Sequence, residues 1–368
     1  MDVHVVDPSA FTPPYDHALC TALGRAGATV ELITSAFPYG EVPEPDGYAR
    51  RERFYRHVPG RAGSPVRRVA KAAVHAPEML AYRRASAAAD VVHFQWLDMQ
   101  WLDRWLLPRG PVVLTAHDLL PREPRPGQAW AQRRLYDAVD AVVVHSAYGA
   151  EQLIGGLRLD PAKVAVVPHG AFTHLTGAPH CAPLPPELRD AEGPVVLFFG
   201  LLRPYKGLET LLAAWRGIES AQLWIVGAPR MPLAPLRALA PPGVRFVPRF
   251  VPDAEVAACF RRADVVVLPY ARTERFDQSG VLATALAFGK AVVLTDVGGF
   301  GEVAATGAAQ LVPPDDPAAL HQALSSLLAN PGARELVARA AARAARETFS
   351  WDVAAQRTLA LYRSLLGR

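Results

Sequence analysis

The stretch Val195-Val196-Leu197-Phe198-Phe199-Gly200-Leu201-Leu202-Arg203-Pro204-Tyr205-Lys206-Gly207-Leu208 decides how the chain is read. Its first five residues are apolar at every position. That pattern belongs to a strand buried on both faces of a parallel sheet, not to a strand with one wet face. A glycine turn, two cations three residues apart and a helical pattern from Leu208 follow. The same alternation runs outward in both directions. On the C-terminal side, strand patterns cover Leu223–Val226, Val244–Val247, Val265–Leu268, Ala291–Leu294 and Gln310–Val312. On the N-terminal side they cover Val3–Val6, Val30–Thr34, Val91–Phe94, Val112–Thr115, Ala141–His145 and Lys163–Val167. The spacers read as helices, for example Asp16–Arg25 and Leu208–Trp215. Strand and helix alternate throughout, which predicts an α/β protein with parallel sheets.

At roughly 150 residues per domain, 368 residues predict two domains. Twelve strand patterns also suit two doubly wound sheets better than one. The break is expected in Ala171–Gly193, which is rich in proline and polar residues and shows no period. The domains are therefore expected at 1–175 and 190–349. A closed barrel needs eight similar βα units, and the Tyr39–Ala89 insertion and the mid-chain linker argue against one. Composition excludes other classes. With 51% hydrophobic and 20% charged residues, the chain is not mostly disordered. A net charge of +4 is too mild to announce nucleic acid. Cys20, Cys181 and Cys259 lie far apart with no CxxC, so neither a disulfide scaffold nor a cysteine zinc site is expected. The opening Met1–Phe11 lacks the basic and long apolar parts of a signal peptide. No stretch of eighteen apolar residues occurs. A soluble, cytoplasmic, two-domain protein is expected.

Four segments sit where ligands bind in open α/β sheets, beyond the carboxyl ends of strands. Arg203 and Lys206 either face a phosphate-bearing ligand or belong to a solvated loop. The spacing is not that of a Walker A loop. In Asp277-Gln278-Ser279-Gly280-Val281-Leu282-Ala283-Thr284, a helix starts at Gly280, and its free N–H groups suit an anion. Together with Arg203 and Lys206 this would make a diphosphate clamp. No Asp-x-Asp pair offers a seat for Mg²⁺. His117, after Val113-Leu114-Thr115, is either a donor to a sugar hydroxyl or a core histidine satisfied by backbone. Tyr15 and Asp16 follow two prolines at the first strand's exit, where Asp16 can equally be a helix-start carboxylate. Between Arg50 and Arg84, ten Arg or Lys face two acids, with Trp96, Trp101 and Trp105 nearby. That face either docks on anionic lipid or is simply solvated.

In their order along the chain these pieces resemble a family. FFGLLRPYKGLETLL, LWIVG, ADVVVLPY, SGVLATALAFGKAVVLTDVGGFGEV and FSWDVAAQRTLALYRSLL resemble the donor domain of the retaining GT-B glycosyltransferases of family 4, the glycosyltransferase group 1. VVLTAHD, AVVVHSAYGAEQL and VAVVPHG resemble its acceptor domain more loosely. The resemblance implies two Rossmann-like domains facing across a cleft, with the donor mainly on the second. It also implies that the last helix, 350–368, returns to the first domain. It gives Lys206 to the donor diphosphate, the Ser279-Gly280-Val281 helix start to its capping, His117 to the donor sugar, and Glu302 to the donor or its loop. His117, Arg203 and Lys206 become the expected catalytic set.

The chain departs from the family pattern in three places. Leu201 replaces the arginine that usually follows the strand-end glycine, and Arg203 is expected to reach the same phosphates. Asp277 and Thr284 stand near the family's paired glutamates, one residue short in spacing. The first glycine-rich loop is replaced by PPYDH, so Tyr15 and Asp16 are expected to bind acceptor. The implied reaction moves a hexose from a UDP- or GDP-sugar to an acceptor hydroxyl with retention, without metal or cofactor, in polysaccharide or glycolipid assembly. A lipid-linked or small-molecule acceptor and peripheral membrane association fit that reading, and nucleic acid does not. The alternatives are a sugar-nucleotide epimerase on the same architecture and a non-catalytic sugar-nucleotide-binding module.

Overall fold

The computed structural model describes residues 1–61, 63–121, 126–177 and 183–367, so Cys181 and part of the linker lie outside the described residues. The chain forms two compact units. One holds Met1–Gly170, Arg275–Asp277 and the chain from Trp351 onward, and the other holds Ala171–Glu274 and Gln278–Ser350.

The first unit contains β1 (Asp2–Asp7), β2 (Thr29–Thr34), β3 (Ala49–Glu52), β4 (Val91–Phe94), β5 (Val112–Thr115), β6 (Ala141–Val144) and β7 (Val164–Val166). They form one sheet in the order β3-β2-β1-β4-β5-β6-β7, and every pairing is parallel. Val5 of β1 faces Leu32 on one side and His93 on the other. The strand order therefore reverses beside β1, which is where a doubly wound sheet opens a crevice for ligand.

The second unit contains β8 (Val195–Phe199), β9 (Gln222–Val226), β10 (Val244–Val247), β11 (Val265–Leu268), β12 (Ala291–Thr295) and β13 (Gln310–Val312). Their parallel order is β10-β9-β8-β11-β12-β13. Val196 pairs with Leu223 and with Val265, so here the order reverses between β8 and β11. All four residues of β11 and all five of β12 are buried, as their uninterrupted apolar runs require. Leu211, Leu212 and Trp215 cover one face of this sheet. Each such side chain, fully removed from water, contributes about 1.5–3 kcal/mol.

Three features were not read from the sequence. The Tyr39–Ala89 insertion is structured: it holds β3 and a long helix, Pro65–Ala85, capped by the Ser64 hydroxyl, which accepts from Arg67 N at 3.2 Å. β3 reads Ala-Arg-Arg-Glu and shows no apolar pattern because it is an edge strand, where charge is favoured. The first helix begins at Pro13, three residues before the expected start, since proline is tolerated in a helix's first turn. Finally, Arg275–Asp277, expected within the second domain, packs with the first unit. Leu119 N donates to Arg275 O there at 3.1 Å.

The last helix, Trp351–Leu365, also belongs to the first unit, where the Tyr362 hydroxyl bonds His93 Nδ1 at 2.6 Å. Among the described residues, no helix is long and apolar enough to cross a membrane.

Candidate functional site

In the second unit, β8 leads through Gly200 into a short 3-10 turn, Pro204–Lys206. Gly207 then adopts φ +67°, and a Cβ there would collide with the Pro269 carbonyl oxygen. Glycine at this position lets the loop press against the exit of β11. Lys206 is consequently buried. Its ammonium donates to the Tyr270 hydroxyl and lies 4.0 Å from the centre of the same ring. The Tyr270 oxygen stands 3.0 Å from Ser279 Oγ, which accepts from Val281 N at 3.2 Å as the N-cap of the helix Gly280–Ala287. A Cβ on Gly200 would stand 3.2 Å from Val281 Cγ2, so the turn after β8 and this helix start adjoin.

The structure therefore brings Lys206, Ser279, Gly280 and Val281 to one place. The remaining predicted residues are distributed differently. Arg203 is half-buried at the start of the 3-10 turn, with its carbonyl accepting from Lys206 N at 3.0 Å. The Thr284 hydroxyl donates to Gly280 O at 2.8 Å and so serves the helix backbone. Glu302 is exposed in the first turn of the helix Phe300–Ala305. Asp277 lies in the first unit, fully buried, where it accepts from His145 N at 2.6 Å and from the Ser146 hydroxyl.

In the first unit, His117 is half-buried just beyond β5. Its Nε2 lies 3.2 Å from Gln95 Oε1, and its ring stacks on Trp96 at 4.9 Å and 15°. Tyr15 meets its edge at 4.6 Å, and Tyr15 also contacts His145, His169 and Trp351. Burial lowers the pKa of His145 to about 4 and that of His93 to about 3, so both rings are neutral at pH 7.

Tyr15 and Asp16 are only 3% and 1% exposed. Burial raises the pKa of Asp16 well above the carboxylate range, and the neighbouring Asp7 charge raises it further. Burial also raises the pKa of Asp7, and a hydrogen bond joins the two carboxyl groups. The Asp7 carboxylate also accepts from the N–H groups of Ser9, Phe11 and Thr12 at 3.2, 2.6 and 3.1 Å. The loop after β1 thus turns its N–H groups onto a carboxylate of its own chain.

Sequence reasoning did not single out Tyr270, which joins Lys206 to Ser279, or Gln95, which meets His117. Each directly follows or closely follows a strand, β11 and β4, so the rule that marked His117 also marks them.

Lys206 thus stands beside a helix start where the strand order of the second parallel sheet reverses. Residues 193–330 match the family described as Glycosyl transferases group 1, and residues 15–174 match Glycosyltransferase Family 4. The D-inositol 3-phosphate glycosyltransferase of Xylanimonas cellulosilytica is 32% identical over 94% of this chain and 89% of its own. Two solved structures share the fold. The sucrose-phosphate synthase of Thermosynechococcus elongatus has a TM-score of 0.75 and 20% identity over 99% of each chain. Anabaena HepE, solved with UDP-glucose, has a TM-score of 0.73 and 17% identity over 98% of this chain and 99% of that one. The chain belongs to the family 4 glycosyltransferases and has their GT-B fold.

Proposed function

We propose that this glycosyltransferase moves a hexose from a UDP- or GDP-sugar to an acceptor hydroxyl with retention of configuration. The observation that carries the reading is the chain of contacts from Lys206 through Tyr270 to Ser279 and the Gly280 helix start. When the anomeric C–O bond breaks, its electron pair passes to the leaving nucleoside diphosphate. An ammonium and helix N–H groups already fixed in place stabilise that charge without reorganisation, by several kcal/mol together. Arg203 adds a second cation beside them. In this reading the side chains and the helix start supply the stabilisation, with neither metal nor cofactor.

The acceptor oxygen forms the new bond on the face the diphosphate leaves, and its proton passes to the departing phosphate oxygen. His117 is assigned to a hydroxyl of the donor sugar, and Glu302 to the donor or its loop. HepE was solved with UDP-glucose, which supports a nucleotide-sugar donor.

Proton NMR of the product, started from a donor of known anomeric configuration, tests the reading. The same configuration in the product, together with released nucleoside diphosphate, supports it. Inversion overturns the retaining mechanism. Conversion of the donor alone into another sugar nucleotide identifies an epimerase, and donor binding with no release under any acceptor identifies a binding module.

The proposed setting is the cytoplasmic face of a membrane, in polysaccharide or glycolipid assembly. Trp101, Trp105 and Trp130 are 52%, 67% and 48% exposed on neighbouring helices of the first unit. Arg104 lies 4.5 Å from the Trp105 ring and 5.4 Å from the Trp130 ring. Basic and aromatic side chains presented together suit an anionic headgroup layer.

A further inference from the structure

Three adjacent strands of the first sheet end in register: Thr115 pairs with Val143, and Val143 with Ala165. The same register, carried just beyond the strand ends, brings His117, His145 and Val167 into a row. His145 is buried, and its backbone N–H donates to the Asp277 carboxylate at 2.6 Å. Its ring stands between its two neighbours in the row, with Nδ1 3.0 Å from Val167 O and Nε2 3.5 Å from His117 Nδ1. We propose that His145 is a positioning residue: it fixes His117 as the tautomer with hydrogen on Nδ1 and a bare Nε2, so that His117 meets a sugar hydroxyl as an acceptor. The proposal rests on the transferase reading, which brings His117 to such a hydroxyl.

The placement of the hydrogens starts from Val167. A carbonyl oxygen only accepts, so His145 Nδ1 carries hydrogen. Burial lowers the pKa of His145 to about 4, and a neutral imidazole has a single N–H. His145 Nε2 is therefore a bare acceptor. The nitrogen that faces it, His117 Nδ1, avoids setting lone pair against lone pair only by carrying hydrogen. At 3.5 Å this contact is long, and it acts by disfavouring the other tautomer rather than by its own strength.

In neutral His117 the remaining nitrogen, Nε2, is then bare. Gln95 Oε1 lies 3.2 Å from it, and an oxygen there would again oppose two lone pairs. The ends of an amide are told apart by their hydrogen bonds, so the row turns Gln95 over and its NH₂ donates to His117. The carbonyl oxygen then occupies the buried end of the amide that has no partner among the described residues. A hydroxyl that reaches His117 Nε2, or the amide oxygen behind it, meets an acceptor at both places and donates. The His117 ring is held for this by stacking on Trp96 at 4.9 Å and by the edge of Tyr15 at 4.6 Å. The hydrogen runs from the sugar to His117, opposite to the sense expected from the sequence.

Long-range proton–nitrogen correlation NMR of the intact protein, labelled at its histidine nitrogens and held at neutral pH, reads which ring nitrogen bears hydrogen. His117→Asn identifies the signals. His117 is expected to show a protonated Nδ1 and a bare Nε2. Hydrogen on Nε2 alone, or on both nitrogens, overturns the proposal. Two variants then separate positioning from support. An Asn amide reaches the place of imidazole Nδ1 and keeps the bond to Val167 O, but stops short of His117. A Gln amide reaches the place of Nε2 and offers its oxygen to His117. His145→Asn is expected to lose the His117 signature and to slow the release of UDP from UDP-glucose in water about tenfold, with UDP affinity unchanged. His145→Gln is expected to keep the signature and a rate within about threefold of wild type. A merely structural His145 predicts the opposite order, and that order, or equal rates, overturns the proposal. Failure of the wild type to release UDP would count against the transferase reading for this donor, while the tautomer measurement still decides what His145 does to His117.

Discussion

Lys206 and Ser279 are joined through one hydroxyl: the Lys206 ammonium donates to the Tyr270 oxygen, which lies 3.0 Å from Ser279 Oγ. Ser279 in turn caps the helix whose first turn faces the same place. The cation and the helix start are therefore held as a unit before any ligand arrives. Prior placement is what gives electrostatic stabilisation its value in a transition state.

Lys206→Ala is expected to lower kcat/KM for the donor by about 10²–10³, the usual consequence of removing one fixed donor from a charge-stabilising site. Tyr270→Phe keeps the ring but removes the hydroxyl link, and a loss of about tenfold is expected. Steady-state kinetics with varied donor, together with circular dichroism to establish folding, checks both. A Tyr270→Phe protein with unchanged kinetics would show that the link is only structural.

Asp277→Ala separates two roles for that carboxylate. Its partners, His145 N at 2.6 Å and the Ser146 hydroxyl, lie with it in the first unit. Removing it leaves buried donors without an acceptor, and a loss of about 2–3 kcal/mol in stability is expected. The affinity for nucleoside diphosphate should stay within about twofold. Calorimetric unfolding and titration measure the two quantities side by side. A large loss of nucleotide affinity in a protein of unchanged stability would return Asp277 to the donor site.

The sequence made the buried sheets legible because a strand covered on both faces, such as Val265–Leu268, has to be apolar at every position. β3 was not legible, since an edge strand of Ala-Arg-Arg-Glu carries no such requirement. Within the site, Lys206 and Ser279 stood out as a cation after a strand and a residue before an apolar helix. Tyr270 did not, because its role exists only once β8 and β11 lie side by side, a pairing between distant stretches. The change of side at Arg275–Asp277 was hidden for a similar reason. Nothing in three consecutive residues reveals which sheet they pack against.

His93 gives a pH dependence of defined sign. Burial, reinforced by the neighbouring His145, lowers its pKa to about 3, and its ring faces the hydroxyls of Tyr362 and Thr115. The unfolded chain takes up a proton on His93 below about pH 6.5, and the folded chain does not until about pH 3. Across that window the unfolded state binds more protons, so stability from this group is lost as pH falls. Relative to His93→Gln, the wild type is expected to lose up to about 1.4 kcal/mol per pH unit between pH 6 and 4. Denaturant unfolding of the two proteins at a series of pH values measures it. A pH-independent difference would refute the buried neutral histidine.

The tryptophan face gives a binding prediction. Sedimentation with vesicles containing anionic lipid should carry the wild type down at low salt and release it at high salt. Trp101→Ala/Trp105→Ala should weaken that binding severalfold without altering nucleotide affinity. Failure of the wild type to bind at low salt would end the membrane reading.

Thermal unfolding with UDP, GDP and ADP and their sugar conjugates, on the wild type and on Arg203→Ala/Lys206→Ala, tests the central claim most directly. Stabilisation follows ligand occupancy, so a rise in Tm with one base, absent from the double variant, is the predicted result. No rise with any of them at millimolar concentration, or an equal rise in the double variant, would contradict the account.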